Sequence, residues 1–347
     1  MIDHDVEMDT GAMLADQLDR VLRELDGPAR MRAEAEGAAP DLLTRLEALG
    51  LETALVPEAK GGVGLSWQDM TRVFLALGYH AAPAPLGEAV IARWAMARLG
   101  QTCTAPLPGI ALDRVRETGD GKVSGRVQVP WQKTAGPVLA VTTDDRLVLI
   151  DAVSFCTCAQ LHTLGRDPAL RVVFQEAPIL ASVADVGFGL GEAMALLRAA
   201  QIAGGLSRIL EMTIDYGNTR VQFGKPIGKF QAVQHLVAGL AGEAACARTA
   251  VDMAMVAADR GDDWRAIAVA KIRAGMAVPK ANFAAHQSHG AIGVTEEHTL
   301  HHFTRRLMQW REEAGDEFYW SERLGQAAVQ SGGAGLWPMI VELSGGG

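Results

Sequence analysis

Cysteine is scarce in this sequence. The 347 residues contain four cysteines, and only Cys156 and Cys158 lie close together. A C-x-C pair by itself matches neither a zinc site nor a C-x-x-C redox motif. We therefore expect reduced thiols, no disulfide framework and no metal site, as is usual in a cytoplasmic protein.

Long apolar runs and an excess of basic residues are also missing. No stretch reaches the ~20 apolar residues of a membrane span, and the acidic amino terminus MIDHDVEMDT lacks the apolar core of a secretory signal. The 32 Lys and Arg residues are outnumbered by 41 Asp and Glu residues, which argues against nonspecific binding to nucleic acid or anionic membranes. The sequence predicts a cytoplasmic protein with no nucleic-acid or membrane partner.

Three regions with different periodicity follow one another along the chain. Residues 1–103 show helical spacing, with Ser66 as the predicted N-cap of one helix. Residues 104–186 carry β-branched runs between turn residues. Residues 187–347 are helical again, in four long segments that predict an up-and-down bundle. The pattern predicts an α+β fold with an N-terminal helical domain, a central β domain and a C-terminal four-helix bundle.

Two motifs in the last region suit a dinucleotide. The first, YGNTRVQFGKPIGKFQAVQ, spans 216–234, and the second, QSHGAIG, spans 287–293. Arg220 offers a planar fork of donors that suits a diphosphate. Gln231 and Gln287 can both donate and accept hydrogen bonds. A third motif, VPEAKGGVG at 56–64, is a loop rich in helix-breaking residues.

These three motifs, in this order, resemble the signatures of the acyl-CoA dehydrogenases over almost the whole chain. The family patterns are P-E-x-x-G-G-x-G, R-x-x-F-G-x-x-I…F-Q-x-x-Q and Q-x-x-G-G-x-G, with Ala291 in place of one glycine. The resemblance implies a central β-barrel or sandwich, bound FAD, and α,β-dehydrogenation of an acyl-CoA thioester. It assigns seven residues to FAD: Arg220, Gln222, Phe223, Gln231, Gln287, Gly290 and Gly293.

The carboxylate base of the family is missing from its two usual positions. Counting from Gly290 places Ala314 where most members carry Glu, and counting back from Arg220 places Met194 at the second position. Glu192 lies two residues away from that position, so on a helix we expect it to point elsewhere. Two carboxylates near the first position, Glu313 and Asp316, are the candidates for a relocated base.

The departures from the family pattern fall on the residues that hold a subunit's own flavin. The run IALDRVRETG at 110–119 lacks the family's T-E-P-x-A-G-S-D pattern, and Pro130 replaces a residue that hydrogen-bonds to the flavin. In family homotetramers, the residues that match Arg220 and Gln287 reach the neighbour's flavin. We therefore hypothesise that this chain completes the flavin site of a second acyl-CoA dehydrogenase subunit in a heterotetramer. It resembles the shorter subunit of heteromeric steroid side-chain acyl-CoA dehydrogenases.

Two other functions stay open at this point. One is a self-sufficient homotetrameric dehydrogenase with a relocated base, and the other is a non-catalytic scaffold that binds CoA or a partner. The resemblance also makes electron-transfer flavoprotein a possible partner. An apolar stripe, Val237 to Val251, could pack within the chain or between subunits.

Overall fold

The N-terminal helices form as the sequence predicts. The computed structural model describes residues 10–25, 40–102, 107–151, 156–261 and 263–343. Four helices come first: α1 (Thr10–Arg23), α2 (Pro40–Glu47), α3 (Trp67–Tyr79) and α4 (Leu86–Arg98). Ser66 caps α3 in a reciprocal capping box with Asp69, which satisfies two free backbone N–H groups at the helix start. The predicted N-cap is confirmed.

The central part is a seven-stranded sheet folded around its own apolar core. Its strands are β1 (Gly109–Ile110), β2 (Arg116–Gly119), β3 (Lys122–Pro130), β4 (Val138–Val141), β5 (Arg146–Ile150), β6 (Cys156–His162) and β7 (Pro168–Ala184). The long strand β7 pairs with β3 and β6 through its first part and with β5 through its last part. Because β7 is shared, the strands enclose a small cluster that includes Val127, Val148 and Phe174.

Long helices make up the C-terminal part. They are α5 (Leu190–Thr219), α6 (Gln231–Arg260), α7 (Trp264–His289), α8 (Leu300–Glu312) and α9 (Glu317–Leu343), with the two-residue strands β8 (Val221–Gln222) and β9 (Lys225–Pro226) between α5 and α6. The sequence places a helix-breaking glycine at Gly315 in the last helical segment, and the helix is interrupted there, where φ is 86°. The first predicted domain boundary, 103/104, lies outside the described residues, and the domain limits remain a prediction.

The packing of α5 and α6 answers one question that the sequence left open. Leu240, Ala244, Ala247 and Val251 of the apolar stripe are buried within the chain, so these four positions serve intrachain packing. Helix α5 also approaches α3 very closely, because a Cβ on Gly204 would lie 2.0 Å from the carbonyl oxygen of Leu75. Only glycine permits this approach.

The described helices offer no candidate for a membrane span. None of the helices in the described ranges is both long enough and apolar enough to cross a bilayer.

Candidate functional site

A cleft of about 700 Å³ lies where the β domain meets the C-terminal helices. Leu112, Gln128 and Leu161 line it from the β domain, the first turn of α5 lines a second side, and the break between α8 and α9 lines a third. Such a cleft between domains, with apolar walls and a few polar groups, is the usual form of a small-molecule site.

Both positions at which a base could be expected line this cleft. Met194 and Ala314 are among the lining residues, so the two positions found by counting along the sequence share one cleft. Glu192 lines the cleft as well, which corrects our expectation that it points elsewhere. At the helix start, the cleft reaches more than one face of α5. The Glu192 carboxylate is engaged, because it pairs with Arg323 at 2.5 Å and accepts a hydrogen bond from the Gly189 N–H at 3.2 Å.

The two candidate bases have different surroundings. Glu313 is 4% exposed; one carboxylate oxygen pairs with Arg198 at 2.7 Å and the other accepts a bond from the Gln309 amide at 2.8 Å. Asp316 is half-buried at the start of α9, where one oxygen accepts the Tyr319 N–H at 2.8 Å. Both residues line the cleft. Neither carboxylate is free of protein contacts, and Glu313 is the more fully engaged.

A buried charged group behind the cleft was not foreseen from the sequence. Arg198 is 1% exposed and pairs at 2.7 Å with both Glu313 and Glu88 of α4. Burial opposes its charge, but Glu313 and Glu88 outweigh burial and raise the pKa of Arg198. The signal in the sequence was a single charge within an otherwise apolar helical run, at Glu88 and again at Arg198.

A buried lysine stabilises the break between α8 and α9. The Lys271 ammonium donates to the carbonyl oxygens of Arg311 and Gly315, each at 2.7 Å. Burial lowers the pKa of Lys271 to about 8, although Glu317 and Glu313 oppose the shift. The Trp320 indole N–H donates to the Ala314 carbonyl oxygen at 2.9 Å. The backbone on either side of Ala314 is therefore fixed, with Ala314 at the cleft wall.

Gln309 extends this network into the β domain. Its amide oxygen accepts the Gly165 N–H at 2.6 Å, while its amide nitrogen donates to Glu313. Two ion pairs thus connect Glu88 through Arg198 to Glu313, and two hydrogen bonds continue the series through Gln309 to Gly165. All three parts of the fold contribute to this series.

A second connection between α8 and the β domain lies at the place where the resemblance puts a flavin ring. Arg306 of α8 is fully buried, pairs with Asp167, and has its guanidinium carbon 5.9 Å from the centre of the Trp131 ring. Pro130, just before Trp131, has no N–H to donate. Protein side chains thus join α8 to this part of the β domain, and Pro130 offers a flavin ring no N–H.

The residues that were assigned to FAD lie on the surface. Arg220, Gln222, Phe223, Gln231 and Gln287 are all exposed. Phe223 occupies the tip of the β8–β9 hairpin, where it is 90% exposed with φ of 51°. Nearly the whole Phe223 ring is therefore available for contact.

The two assigned glycines differ from each other. Gly290 ends α7 with φ of 65° and open space around its Cα, which suits the close approach of a ligand to the backbone. Gly293 is buried, and an added Cβ would lie 3.2 Å from a Leu300 methyl group. Packing alone thus accounts for Gly293.

The exposed residues fit one edge of a dinucleotide better than a complete site. Arg220 makes no ion pair within the described ranges, so its fork of donors is available to a diphosphate. Gln287 lies in the last turn of the neighbouring helix α7. In the part of the chain that the structure describes, no group of three His, Cys, Asp or Glu side chains could hold a metal ion.

Comparison with known proteins agrees with this geometry. Residues 192–317 match the family described as acyl-CoA dehydrogenase, C-terminal domain. The chain is 29% identical to acyl-CoA dehydrogenase IpdE2 of Mycolicibacterium smegmatis over 288 residues, which cover 80% of this chain and 86% of that protein.

Two solved structures share the whole fold. The Tcur3481–Tcur3483 steroid ACAD superposes with a TM-score of 0.82 at 25% identity, over 93% of this chain and 98% of that chain. The ChsE4–ChsE5 complex of Mycobacterium tuberculosis superposes with a TM-score of 0.79 at 24% identity, over 95% of this chain and 99% of that chain.

Proposed function

From the premise that this chain is of the acyl-CoA dehydrogenase type, as its C-terminal domain and its fold show, we propose that it completes the flavin site of a second, unlike subunit. The complex is then an FAD-dependent dehydrogenase that oxidises the α,β bond of an acyl-CoA thioester. One observation carries the proposal. The chain exposes the residues that the family motifs assign to a dinucleotide, while Met194 and Ala314, at the two base positions in its cleft, have side chains that cannot accept a proton.

The roles of this chain's residues follow from their placement. Bound FAD would supply the hydride acceptor. Arg220 offers two parallel N–H donors to the diphosphate, Gln231 and Gln287 offer amide groups to dinucleotide edges, and Gly290 leaves the backbone accessible. Phe223 adds an apolar surface at the hairpin tip. The base and the contacts to the flavin ring come, in this proposal, from the partner subunit.

The substrate and the cellular setting complete the proposal. Because one of the similar structures is a steroid ACAD, we assign a steroid-derived acyl-CoA as the substrate class. The ChsE4–ChsE5 structure is a complex of two proteins, which supports an unlike partner. Electron-transfer flavoprotein as the acceptor and a cytoplasmic location are further parts of the proposal.

The visible absorbance spectrum of the purified chain tests the proposal. Alone, the chain is expected to be colourless. Co-expressed with an unlike acyl-CoA dehydrogenase that has an intact base, it is expected to give a yellow complex with about one FAD per pair of unlike chains. A yellow chain that bleaches by itself with an acyl-CoA would instead establish the self-sufficient homotetramer. A complex that never binds flavin would leave only the scaffold function.

Substitution of the two candidate carboxylates separates the same alternatives. In the complex, Asp316→Asn is expected to change kcat less than twofold, and Glu313→Gln is expected to lower the Tm while kcat stays within twofold. Loss of a general base costs about 10²–10⁴-fold in rate. A drop of that size with unchanged Tm in either variant would identify that residue as a relocated base.

A further inference from the structure

Four aromatic side chains form a cluster close to the exposed residues Arg220 and Gln287. They belong to Tyr216, His286, His289 and His298. The Tyr216 ring stacks on His289, with 4.6 Å between ring centres and an interplanar angle of 24°. The edge of His298 lies against both, at 4.8 Å from His289 and 6.2 Å from Tyr216. His286 stands one turn before His289 on α7 and meets Thr304 of α8 at 3.0 Å. The cluster therefore joins α5, α7, α8 and the segment between them.

The same side chains fix the relative position of Arg220 and Gln287. The Arg220 N–H donates to the Tyr216 carbonyl oxygen at 2.9 Å, so Arg220 is attached to the residue whose ring stacks on His289. Gln287 and Gly290 flank His289 along the chain. The Tyr216–His289 stack is thus a direct contact between the two helix ends that carry Arg220 and Gln287.

Hydrogen bonds assign the proton on Nδ1 of His289 and the absence of one on Nδ1 of His298. His289 Nδ1 lies 2.8 Å from the Ala285 carbonyl oxygen, to which it must donate, so the neutral ring leaves Nε2 without a proton. Nε2 is buried, and it makes no hydrogen bond of good geometry with the residues that the structure describes. His298 Nδ1 accepts the Leu300 N–H at 3.1 Å and must also be unprotonated.

The groups around the cluster oppose its protonation. Burial lowers the pKa of all three imidazoles below the usual 6.5; the neighbouring imidazoles lower it further for His286 and His298, while the Ala285 and Met212 carbonyls partly oppose the shift for His289. Besides one another, the three imidazoles face two titratable groups, which are Tyr216 from α5 and His301 from α8. Within the described residues no carboxylate forms an ion pair with His286, His289 or His298.

The sign of the pH effect follows from these shifts. Above pH 6.5 the rings are neutral in both the folded and the unfolded chain, and the cluster retains its full stability. As the pH falls below 6.5, the unfolded chain binds protons that the packed rings accept only at lower pH, so stability is lost. Each added charge also repels the neighbouring rings.

We infer that His289 is a positioning residue for the Arg220–Gln287 surface, and that this surface keeps its geometry only while the imidazole cluster is neutral. The inference rests on the proposed function, since it assumes that this surface holds FAD in the complex. It predicts that the complex releases its flavin on mild acidification. This would follow from a loss of geometry, with no change in the charge of Arg220.

Flavin release from the complex as a function of pH tests this inference. The fluorescence of freed FAD is recorded from pH 8 to 5, and wild type is expected to release FAD as the pH falls below 6.5. His289→Phe keeps the stacked ring without a titratable nitrogen, and is expected to move the release midpoint about one pH unit lower. His289→Ala loses the stack and is expected to release FAD even at pH 7.5.

Two more variants keep the test decisive. In His298→Asn, the side-chain oxygen can still accept the Leu300 N–H, and the midpoint is again expected to fall; this variant decides the question if His289→Phe does not fold. His162→Asn, which removes an imidazole outside the cluster, is expected to match wild type. Identical midpoints in wild type, His289→Phe and His298→Asn would overturn the inference alone. A complex without flavin at pH 7.5 would overturn the proposed function as well.

Discussion

Replacing Arg220 by Ala in the complex is expected to weaken FAD binding by about tenfold to a hundredfold. A hydrogen bond to a charged group contributes about 1.5–3 kcal/mol, and each 1.4 kcal/mol is tenfold in affinity. Arg220 has no ion pair to lose within the described residues, so the change acts on the ligand. FAD titration into the deflavinated complex, followed by flavin fluorescence, measures the effect.

Two further substitutions give this experiment its controls. Arg220→Lys keeps the charge but loses the planar fork, and is expected to bind FAD with intermediate affinity. Arg126→Ala removes an exposed arginine from β3 in the β domain and is expected to bind FAD like wild type. Equal affinity for wild type and Arg220→Ala would contradict the role of Arg220 and the assignment of this surface to the flavin.

The second large effect concerns stability. Arg198→Met leaves the Glu88 and Glu313 carboxylates buried without their counter-charge, and is expected to lower the free energy of unfolding by about 3–5 kcal/mol. Urea denaturation of the chain, or of the complex, measures this change. In a triple variant that also carries Glu88→Gln and Glu313→Gln, much of the loss is expected to be recovered, because no unpaired charge remains.

An exposed arginine provides the matched control for Arg198. Arg248 pairs with Asp252 one turn away on α6, and both side chains are about half exposed. Arg248→Met is expected to cost no more than about 0.5 kcal/mol. Similar losses at Arg198 and Arg248 would show that the buried pairs contribute little, and that the network does not hold the cleft wall.

Much of the fold could be predicted because its signals are local. The Ser66 cap, the break at Gly315 and the change from helix to strand each depend on residues adjacent in the sequence. Counting along the family motifs gave Met194 and Ala314 as the two base positions, and both line one cleft. They lie together because regular helices set the spacing between each motif and the cleft.

The parts that could not be predicted depend on residues far apart in the chain. Nothing in the run around Glu88 identifies Arg198 as its partner, although a charge in an apolar helix indicates that some partner exists. The orientation of Glu192 was predicted wrongly because helical period gives an angle and not the position of the cleft. The stacking of Tyr216 on His289 likewise depends on how α5 and α7 meet.

The series of bonds from Glu88 to Gly165 has a mechanical consequence. A hinge needs a boundary at which two bodies can rotate without breaking buried bonds. Here every member of the series lies in the protein interior, and the Arg306–Asp167 pair runs beside it. Rotation of the β domain against the helices would break buried ion pairs and hydrogen bonds at once. In the proposed complex, we therefore expect the chain to act as a rigid template for its partner, and any opening that admits substrate to occur in the other subunit.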